Sequence, residues 1–175
     1  MTESIVLGGG CFWCLDSLYR RLKGVIKVET GYAGGEKPNP TYMEVFSKKT
    51  GHAEVVRVTF DPKIIGLRTL IDIFWAIHDP TTLNRQGADV GDDYRSIILY
   101  ADEGQKKIIK ASLKNVGQRL WSEPIVTEIK PLKAFYLAEE EHQNWATKNQ
   151  QSMYCNIVIN PKLAKFKKQF AHLLV

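Results

Sequence analysis

The residues best suited to chemistry lie in one short segment, Gly8-Gly9-Gly10-Cys11-Phe12-Trp13-Cys14. It follows the apolar run 4–7 and precedes a helical pattern, so we expect Cys11 at a strand-to-helix turn. Unpaired backbone N–H groups and the positive end of a helix dipole favour a thiolate at such a position. The glycines allow a tight turn that leaves the sulfur open on one side, and Phe12 and Trp13 would form an apolar wall beside it. The pattern therefore predicts a nucleophilic cysteine in a ligand-binding site.

Other interpretations of this segment differ in strength. Gly8, Gly10 and Trp13 lack the third glycine of the dinucleotide fingerprint, which argues against cofactor binding. Cys11 and Cys14 form a C-x-x-C pair, which is typical of thioredoxin-like redox proteins. A thiol–disulfide oxidoreductase or a redox sensor that uses these two cysteines is therefore an alternative function. No second C-x-x-C or Cys/His pair completes a zinc site, so we expect neither a metal nor a cofactor.

Composition and charge exclude several classes of protein. The chain has 175 residues, 44% hydrophobic and 25% charged, which is ordinary for a soluble globular protein, and we expect one catalytic domain over 1–175. Three cysteines are an odd number, which argues against a secreted disulfide framework, and no signal peptide or membrane span is visible. We therefore expect a cytoplasmic protein. The net charge of +5 comes largely from lysines spaced between apolar residues near the C-terminus, a pattern typical of a solvated helix face. We expect no nucleic-acid partner and no membrane partner.

Hydrophobic periodicity predicts an order of elements that could position Cys11. We expect strands at 3–8, 25–30, 52–60, 94–100, 125–130 and 156–159, and helices at 12–23, 67–78, 103–121, 138–150 and from Pro161 onward. The first six elements spell β-α-β-β-α-β, the split βαβ order of a ferredoxin-like sheet. The fold class that we predict is therefore a two-layer α+β domain. The long loops 31–51 and 79–93 are expected to build the site around Cys11.

The strand at 52–60 carries a candidate acid. Glu54 alternates with Val56, Val58 and Phe60, so it shares their face of the strand. Burial on that face would raise the pKa of its carboxyl group and keep a proton available near neutral pH. The other interpretation is that Glu54 lies at the strand end and points into water, and periodicity does not decide between them. The four histidines offer little support for a Cys–His dyad, and we expect them to be structural.

Several motifs occur together in order along the chain, and as a set they resemble one family. They are Gly10-Cys11-Phe12-Trp13, Gly31-Tyr32-Ala33-Gly34-Gly35, Asn39-Pro40-Thr41-Tyr42, Gly51-His52-Ala53-Glu54, Arg85-Gln86-Gly87-Ala88-Asp89, Tyr94-Arg95-Ser96 and His142-Gln143. The set resembles the A-type peptide methionine sulfoxide reductases across nearly the whole chain. The resemblance implies reduction of the S epimer of methionine sulfoxide, in proteins or free, with recycling by thioredoxin.

The resemblance also implies a role for each site residue. Cys11 would attack the sulfoxide sulfur as a thiolate and become a sulfenic acid. Glu54 would protonate or hydrogen-bond the oxygen, and this role favours the buried interpretation of its position. Tyr42 and Tyr94 would support Glu54 as hydroxyl donors, and Asp89 would orient them. Phe12 and Trp13 would form an apolar cup for the methyl group of the substrate.

A second thiol is needed to clear the sulfenic acid. In the family it commonly lies about a dozen residues after a His-Gln pair, and Cys155 has that position after His142-Gln143. Cys14 is the rival. In a regular helix, however, its Cβ would lie about 5–6 Å from that of Cys11, whereas a relaxed disulfide needs about 3.8 Å. We therefore predict Cys155 as the resolving cysteine. Direct reduction by an external thiol is a third route.

Overall fold

The computed structural model describes every residue from Met1 to Val175. Its eight strands are β1 (Glu3–Gly8), β2 (Val25–Ala33), β3 (Ala53–Phe60), β4 (Arg85–Gln86), β5 (Asp89–Val90), β6 (Ile97–Tyr100), β7 (Glu128–Pro131) and β8 (Phe135–Leu137). Its seven α-helices are α1 (Phe12–Tyr19), α2 (Tyr42–Phe46), α3 (Leu67–Ile77), α4 (Glu103–Ser112), α5 (Gln118–Leu120), α6 (Trp145–Lys148) and α7 (Asn160–Gln169). None of the helices is long and apolar enough to cross a membrane.

Six strands form one sheet in the order β7-β6-β1-β3-β2-β8, and β4 and β5 form a separate hairpin. The four central strands, β6-β1-β3-β2, are antiparallel to one another at each of their three shared borders. β1 and β2 are thus separated by β3 while α1 connects them, and β3 and β6 are separated by β1 while α3 connects them. This split βαβ topology confirms the predicted ferredoxin-like α+β fold. At the edges, β7 extends the sheet parallel to β6 and β8 extends it antiparallel to β2.

Alternation along the strands separates two apolar layers. On β3, Val56, Val58 and Phe60 belong to the larger core, which the strands share with α1 and α3. Val55, from the opposite face, belongs to a smaller cluster that the loop residue Leu132 helps to cover. The helices therefore lie on one face of the sheet, and the central strand β3 contributes side chains to both layers.

The long loop after β2 is more ordered than we predicted. β2 continues to Ala33, and α2 forms within the predicted loop 31–51 because Thr41 and Glu44 make a reciprocal capping box at its start. His52 holds the part of this loop between β2 and α2 in place, since its Nδ1 accepts a hydrogen bond from the N–H of Gly35 at 3.0 Å. Its Nε2 in turn donates to the carbonyl oxygen of Lys37 at 2.7 Å. The predicted loop 79–93 likewise contains the β4–β5 hairpin.

Two predictions near the C-terminus are wrong. The apolar run 156–159 is not a strand but part of a π-helical turn, Cys155–Ile159, that leads directly into α7. Its burial does not alternate as in a strand, because Cys155 and Ile159 are buried whereas Asn156 and Ile157 are exposed. It buries Cys155 and Ile159, four residues apart, against Cys14 of α1. The predicted polar helix 138–150 contains only a 3-10 turn, Glu140–His142, and the short α6.

Other boundaries differ by a few residues. The predicted helix 12–23 ends at Tyr19, and Leu22 beyond it forms a bridge with Leu174. The predicted strand 94–100 begins at Ile97 because Asp92–Tyr94 is a 3-10 turn. The helix predicted over 103–121 is present as α4, a π-helical turn and α5.

Candidate active site

Cys11 is the N-cap residue of α1 and is partly exposed. The turn before it depends on Gly10, whose φ of +87° is in the left-handed region and whose N–H donates to the carbonyl oxygen of Tyr94 at 3.2 Å. A Cβ atom at Gly10 would lie 2.7 Å from Cγ of Gln86, so a side chain does not fit there. The expected strand-to-helix turn is therefore present, and it is held between the hairpin and the 3-10 turn.

The expected thiolate at Cys11 is not the resting state. Burial, together with negative charge at Glu54 and Cys14, raises the pKa of the Cys11 thiol well above its usual value. The N–H of Trp13 lowers the pKa, as a helix start should, and so does the hydroxyl of Tyr154, but these effects are smaller. The helix dipole alone therefore does not ionise Cys11.

Glu54 lies inside the protein beside the start of α1. It is 1% exposed, on the same face of β3 as the core residue Val56, so the buried interpretation of its position is the one observed. Its Oε1 accepts a hydrogen bond from the N–H of Phe12 at 3.1 Å. Burial raises the pKa of Glu54 to about 8, and the nearby carboxylates of Asp93 and Asp89 add to the increase. Glu54 is consequently a protonated acid at neutral pH.

Tyr42, Tyr94 and Asp89 surround this acid from three elements. Tyr42 is the first residue of α2, Tyr94 ends the 3-10 turn, and Asp89 begins β5. Burial raises the pKa of both phenols, and negative charge on Glu54 is the next cause in each case, so both hydroxyls stay protonated and close to Glu54. Burial also raises the pKa of Asp89. The structure therefore brings together the candidate acid and the three residues expected around it.

Phe12 and Trp13 belong to a larger aromatic group than we predicted. Phe12 is fully buried, with its ring centroid 5.7 Å from Tyr32 and 6.4 Å from Tyr42. Trp13 is partly buried, and its indole N–H donates to Nδ1 of His142 at 3.2 Å. The ring of His142 also stacks on Tyr42, with centroids 4.3 Å apart. The two predicted wall residues are thus fixed in place next to Cys11.

Each buried histidine has partners other than Cys11. His52 bonds the loop after β2, and His142 accepts from Trp13. His78 caps α3 by donating from Nδ1 to the carbonyl oxygen of Phe74, while its Nε2 accepts from the hydroxyl of Ser96. This arrangement provides no Cys–His dyad. No group of three His, Cys, Asp or Glu side chains is arranged to hold a metal ion.

Comparison with known proteins identifies the family of this chain. The family model described as peptide methionine sulfoxide reductase matches residues 3–174. The chain belongs to the peptide methionine sulfoxide reductase family. It is 53% identical over 168 residues to the peptide methionine sulfoxide reductase MsrA of Saccharolobus solfataricus, covering 96% of this chain and 94% of that protein. The resemblance predicted from the ordered motifs is therefore confirmed, and the protein is an oxidoreductase that acts on methionine sulfoxide.

Solved structures of the family have the same fold. The structure is similar to that of Mxr1 from Saccharomyces cerevisiae in reduced form, with a TM-score of 0.83 and 38% identity. That match covers 88% of this chain and 89% of Mxr1. It is also similar to Mxr1 in complex with Trx2, with a TM-score of 0.59 and 31% identity, over 83% of this chain and 85% of that one.

The reductase keeps all three cysteines as free thiols in one region. Cys14 and Cys155 are buried in one cluster, against which Cys11 packs. Sγ of Cys14 lies 3.5 Å from the hydroxyl of Tyr154, and burial raises the pKa of the Cys14 thiol. Cys155 begins the π-helical turn, and its Sγ lies 3.8 Å from the carbonyl oxygen of Ala146. Both candidate resolving thiols are therefore near the reactive one.

Sequence reasoning missed two aromatic residues of the reductase site. The ring of Trp145 stacks on Trp13 with centroids 3.7 Å apart and planes inclined by 6°. Tyr154 packs edge-on against both indoles and also contacts the thiols of Cys11 and Cys14. The only signal in the sequence was their position, just after His142-Gln143 and just before Cys155. The C-terminal region therefore adds two aromatic side chains to the group around Trp13.

Sequence reasoning also missed a charged pair of the reductase. Asp93 is completely buried next to Tyr94, and its Oδ1 lies 3.2 Å from Nζ of Lys48. The pair connects the loop after α2 to the 3-10 turn. Nothing in the sequence distinguished Asp93 from its neighbour Asp92, because only the folded chain buries one and exposes part of the other.

Proposed function

We propose that this reductase removes oxygen from the S epimer of methionine sulfoxide through a sulfenic acid on Cys11, with Glu54 as the general acid. The observation that carries this proposal is the position of Glu54. Its carboxyl group is 1% exposed, accepts the N–H of the residue after Cys11, and has its pKa raised to about 8. Sulfoxide oxygen is a poor leaving group until it is protonated, so a neutral acid beside a thiol is the pair that the reaction needs.

The chemical step exchanges one oxygen between two sulfurs. Sγ of Cys11, as a thiolate, attacks the sulfoxide sulfur while Glu54 gives its proton to the oxygen. The S–O bond of the substrate breaks and an S–O bond to Cys11 forms, which leaves a sulfenic acid and methionine. Cys11 is oxidised by two electrons, the sulfoxide is reduced by two, and Glu54 regains the proton that the thiol lost. Tyr42 and Tyr94 hold the oxygen with their protonated hydroxyls, and Asp89 orients the donors.

The protonation state of the Cys11–Glu54 pair decides the pH dependence. Reaction requires Glu54 to hold a proton and Cys11 to have lost one. The pKa of Glu54 is about 8 and that of Cys11 is higher, so both hold protons at lower pH. One proton leaves the pair as pH rises through about 8, and the minority of molecules that lose it from Cys11 are competent. The single-turnover rate should therefore rise with pH to about 8 and then level off.

The aromatic cup supports selection of one epimer. The oxygen donors, Glu54, Tyr42 and Tyr94, come from β3, α2 and the 3-10 turn, whereas Trp13 comes from α1 and stacks on Trp145 of α6. A sulfoxide whose oxygen faces the donors must place its methyl group against the aromatic rings. Because the rest of a peptide substrate must also extend out to solvent, the lone pair has one remaining position, and these three constraints together correspond to one configuration at sulfur.

We propose Cys155 as the thiol that clears the sulfenic acid, with Cys14 as its rival. The thiol of Cys155 would attack the oxidised sulfur of Cys11, forming a disulfide and releasing the oxygen as water. A cavity of about 280 Å³ is lined by Cys155, Arg21 and Gln150 but not by Cys14. This cavity offers an external reductant a path to Cys155, which supports its choice.

Thioredoxin is the reductant that we propose for this disulfide. The support is the similar structure of Mxr1, which was solved in complex with Trx2. A dithiol of this kind would give two electrons to the protein disulfide, which restores both protein thiols, and would itself become a disulfide. We further propose a cytoplasmic location, supported by three cysteines that are all free. The family match over 3–174 supports residues 1–175 as one catalytic domain.

Single-turnover chemistry without added reductant tests the proposal. The wild-type protein should release one methionine per molecule from an S-sulfoxide substrate, and mass spectrometry should find one intramolecular disulfide. Cys11→Ser should release none, whereas Cys14→Ser and Cys155→Ser should each still release one. Sulfoxide reduction by Cys11→Ser would refute the proposed chemistry. Reduction of insulin-type disulfides without action on sulfoxides would refute it in favour of the thiol–disulfide alternative.

A further inference from the structure

Lys48 has a backbone conformation that lysine rarely adopts. It follows α2 with φ of +64°, and its N–H donates to the carbonyl oxygen of Val45 at 2.9 Å, so it occupies the left-handed cap position that glycine usually takes. Its side chain is fully engaged, because Nζ lies 3.2 Å from Asp93 and donates to the carbonyl oxygen of Phe46 at 3.2 Å. A strained backbone at a residue whose side chain makes specific contacts indicates that the side chain has a role.

The partner of Lys48 is buried, and a glycine makes room for the pair. Asp93 is 0% exposed, and Lys48 supplies its only ion pair. A Cβ atom at Gly91 would lie 2.3 Å from Cε of Lys48 and 2.5 Å from Oδ1 of Asp93. A side chain at position 91 would therefore have to displace the lysine stem and the carboxylate, and the φ of +143° there is itself unfavourable for any residue other than glycine. A charge buried this deeply is costly unless it is paired, so Asp93 depends on Lys48, which reaches it from the protein surface.

The pair borders the catalytic acid. Asp93 immediately precedes Tyr94, and Nζ of Lys48 lies 5.3 Å from the centroid of the Tyr94 ring. The charge of Asp93 raises the pKa of Glu54, and the charge of Lys48 lowers it by a smaller effect. The two members thus act on Glu54 in opposite directions.

We propose that Lys48 and Asp93 are a positioning pair for Glu54, which ties the loop after α2 to the turn of Tyr94 and sets the balance of charge at the catalytic carboxyl. The proposal rests on the role of Glu54 as the acid. Neither residue touches the substrate. The other titratable groups that face Glu54 from the surrounding elements are Cys11, Tyr32, Tyr42, Asp89 and Tyr94.

The test measures the pH at which the single-turnover rate stops rising and levels off. Lys48→Gln removes the positive charge and should move this point to higher pH, whereas Asp93→Asn removes the negative charge and should move it to lower pH by a larger amount. The double variant should fall between the two single variants. Lys48→Gly also removes the charge but suits the left-handed backbone, so it should move the point in the same direction as Lys48→Gln. Lys48→Arg should keep the wild-type position.

Two nearby residues provide matched controls. Lys49 is exposed and Asp92 is only partly buried, and neither has an ion pair, so Lys49→Gln and Asp92→Asn should shift the profile least. Shifts of Lys48→Gln and Asp93→Asn in the same direction, or no shift in either, would overturn the proposal. In that case the pH profile of Glu54→Gln shows whether the role of Glu54 as the acid is wrong as well. If it removes the rise near pH 8, Glu54 remains the acid and only the pair is wrong, whereas an unchanged rise refutes both.

Discussion

The backbone N–H of Phe12 donates a hydrogen bond to Oε1 of Glu54 at 3.1 Å, and this bond joins the first residue of α1 to the start of β3. Because Oε1 accepts this bond, the proton of the neutral acid belongs on Oε2, which is free to serve the substrate. The bond also fixes the carboxyl group one residue from Cys11. Acid and nucleophile are therefore positioned by the same helix terminus.

Replacing Glu54 should separate its donor function from its proton transfer. Glu54→Ala removes both and should lower the single-turnover rate by about 10²–10⁴-fold, the usual contribution of general acid catalysis. Glu54→Gln keeps an N–H donor and should lose less, and its rate should now rise only at the higher pKa of Cys11. Quenched-flow measurement of methionine release across pH checks both results. Glu29→Gln, at a partly exposed ion pair on β2, is the control, and a wild-type rate in Glu54→Ala would contradict the role.

Trp13→Ala should weaken substrate binding more than it slows the chemistry. The variant loses one wall of the cup and the stack with Trp145, but it leaves Cys11 and Glu54 in place. We expect KM for a sulfoxide peptide to rise while the rate at saturation changes little. Trp121→Ala is the matched control, since Trp121 donates to the carbonyl oxygen of Trp75 away from the cup. Comparable consumption of the R and S epimers by the wild-type protein would contradict the proposed geometry.

Cys155→Ser should complete the first turnover and then stall. The sulfenic acid on Cys11 would persist and could be trapped with dimedone, while thioredoxin-driven turnover should fall sharply. Peptide mapping of the wild-type protein after one turnover should find Cys11 bonded to Cys155. If Cys14→Ser stalls instead, the start of α1 must open during the cycle, because i and i+3 positions in a regular helix are too far apart for a relaxed disulfide. If neither variant stalls, an external thiol completes the reaction.

His78 should make the protein less stable in acid. Burial lowers its pKa to about 4, so between pH 6.5 and 4 the unfolded chain binds a proton that the folded chain does not. Its contribution to the free energy of unfolding is complete above pH 6.5 and decreases as pH falls, by about 2 kcal/mol at pH 5. Urea denaturation of the wild type and of His78→Gln at pH 7 and pH 5 isolates this contribution from those of other titrating groups, since the raised pKa of Glu54 acts in the opposite direction. Between pH 7 and pH 5 the wild type should lose about 2 kcal/mol relative to His78→Gln. His172→Gln should behave like the wild type, since His172 is exposed.

Local patterns in the sequence were sufficient to predict the central fold and the reactive segment. Alternation on β3 placed Glu54 with Val56, Val58 and Phe60, and the glycine run before Cys11 predicted the turn that precedes α1. These features depend on periodicities of two and about 3.6 residues and on backbone freedom, which are properties of neighbouring residues. The order β-α-β-β-α-β likewise determined the sheet, because few topologies satisfy it.

Only the tertiary structure decided the charge states and the C-terminal half of the site. The sequence favoured a thiolate at Cys11, but desolvation by residues distant in the chain raises its pKa. The run 156–159 has the composition of a strand, yet it forms a helical turn because Cys155 and Ile159 pack against Cys14 of α1. Burial, long-range pairing and the cancellation of charges depend on which distant residues meet in space. No local pattern of residues contains that information.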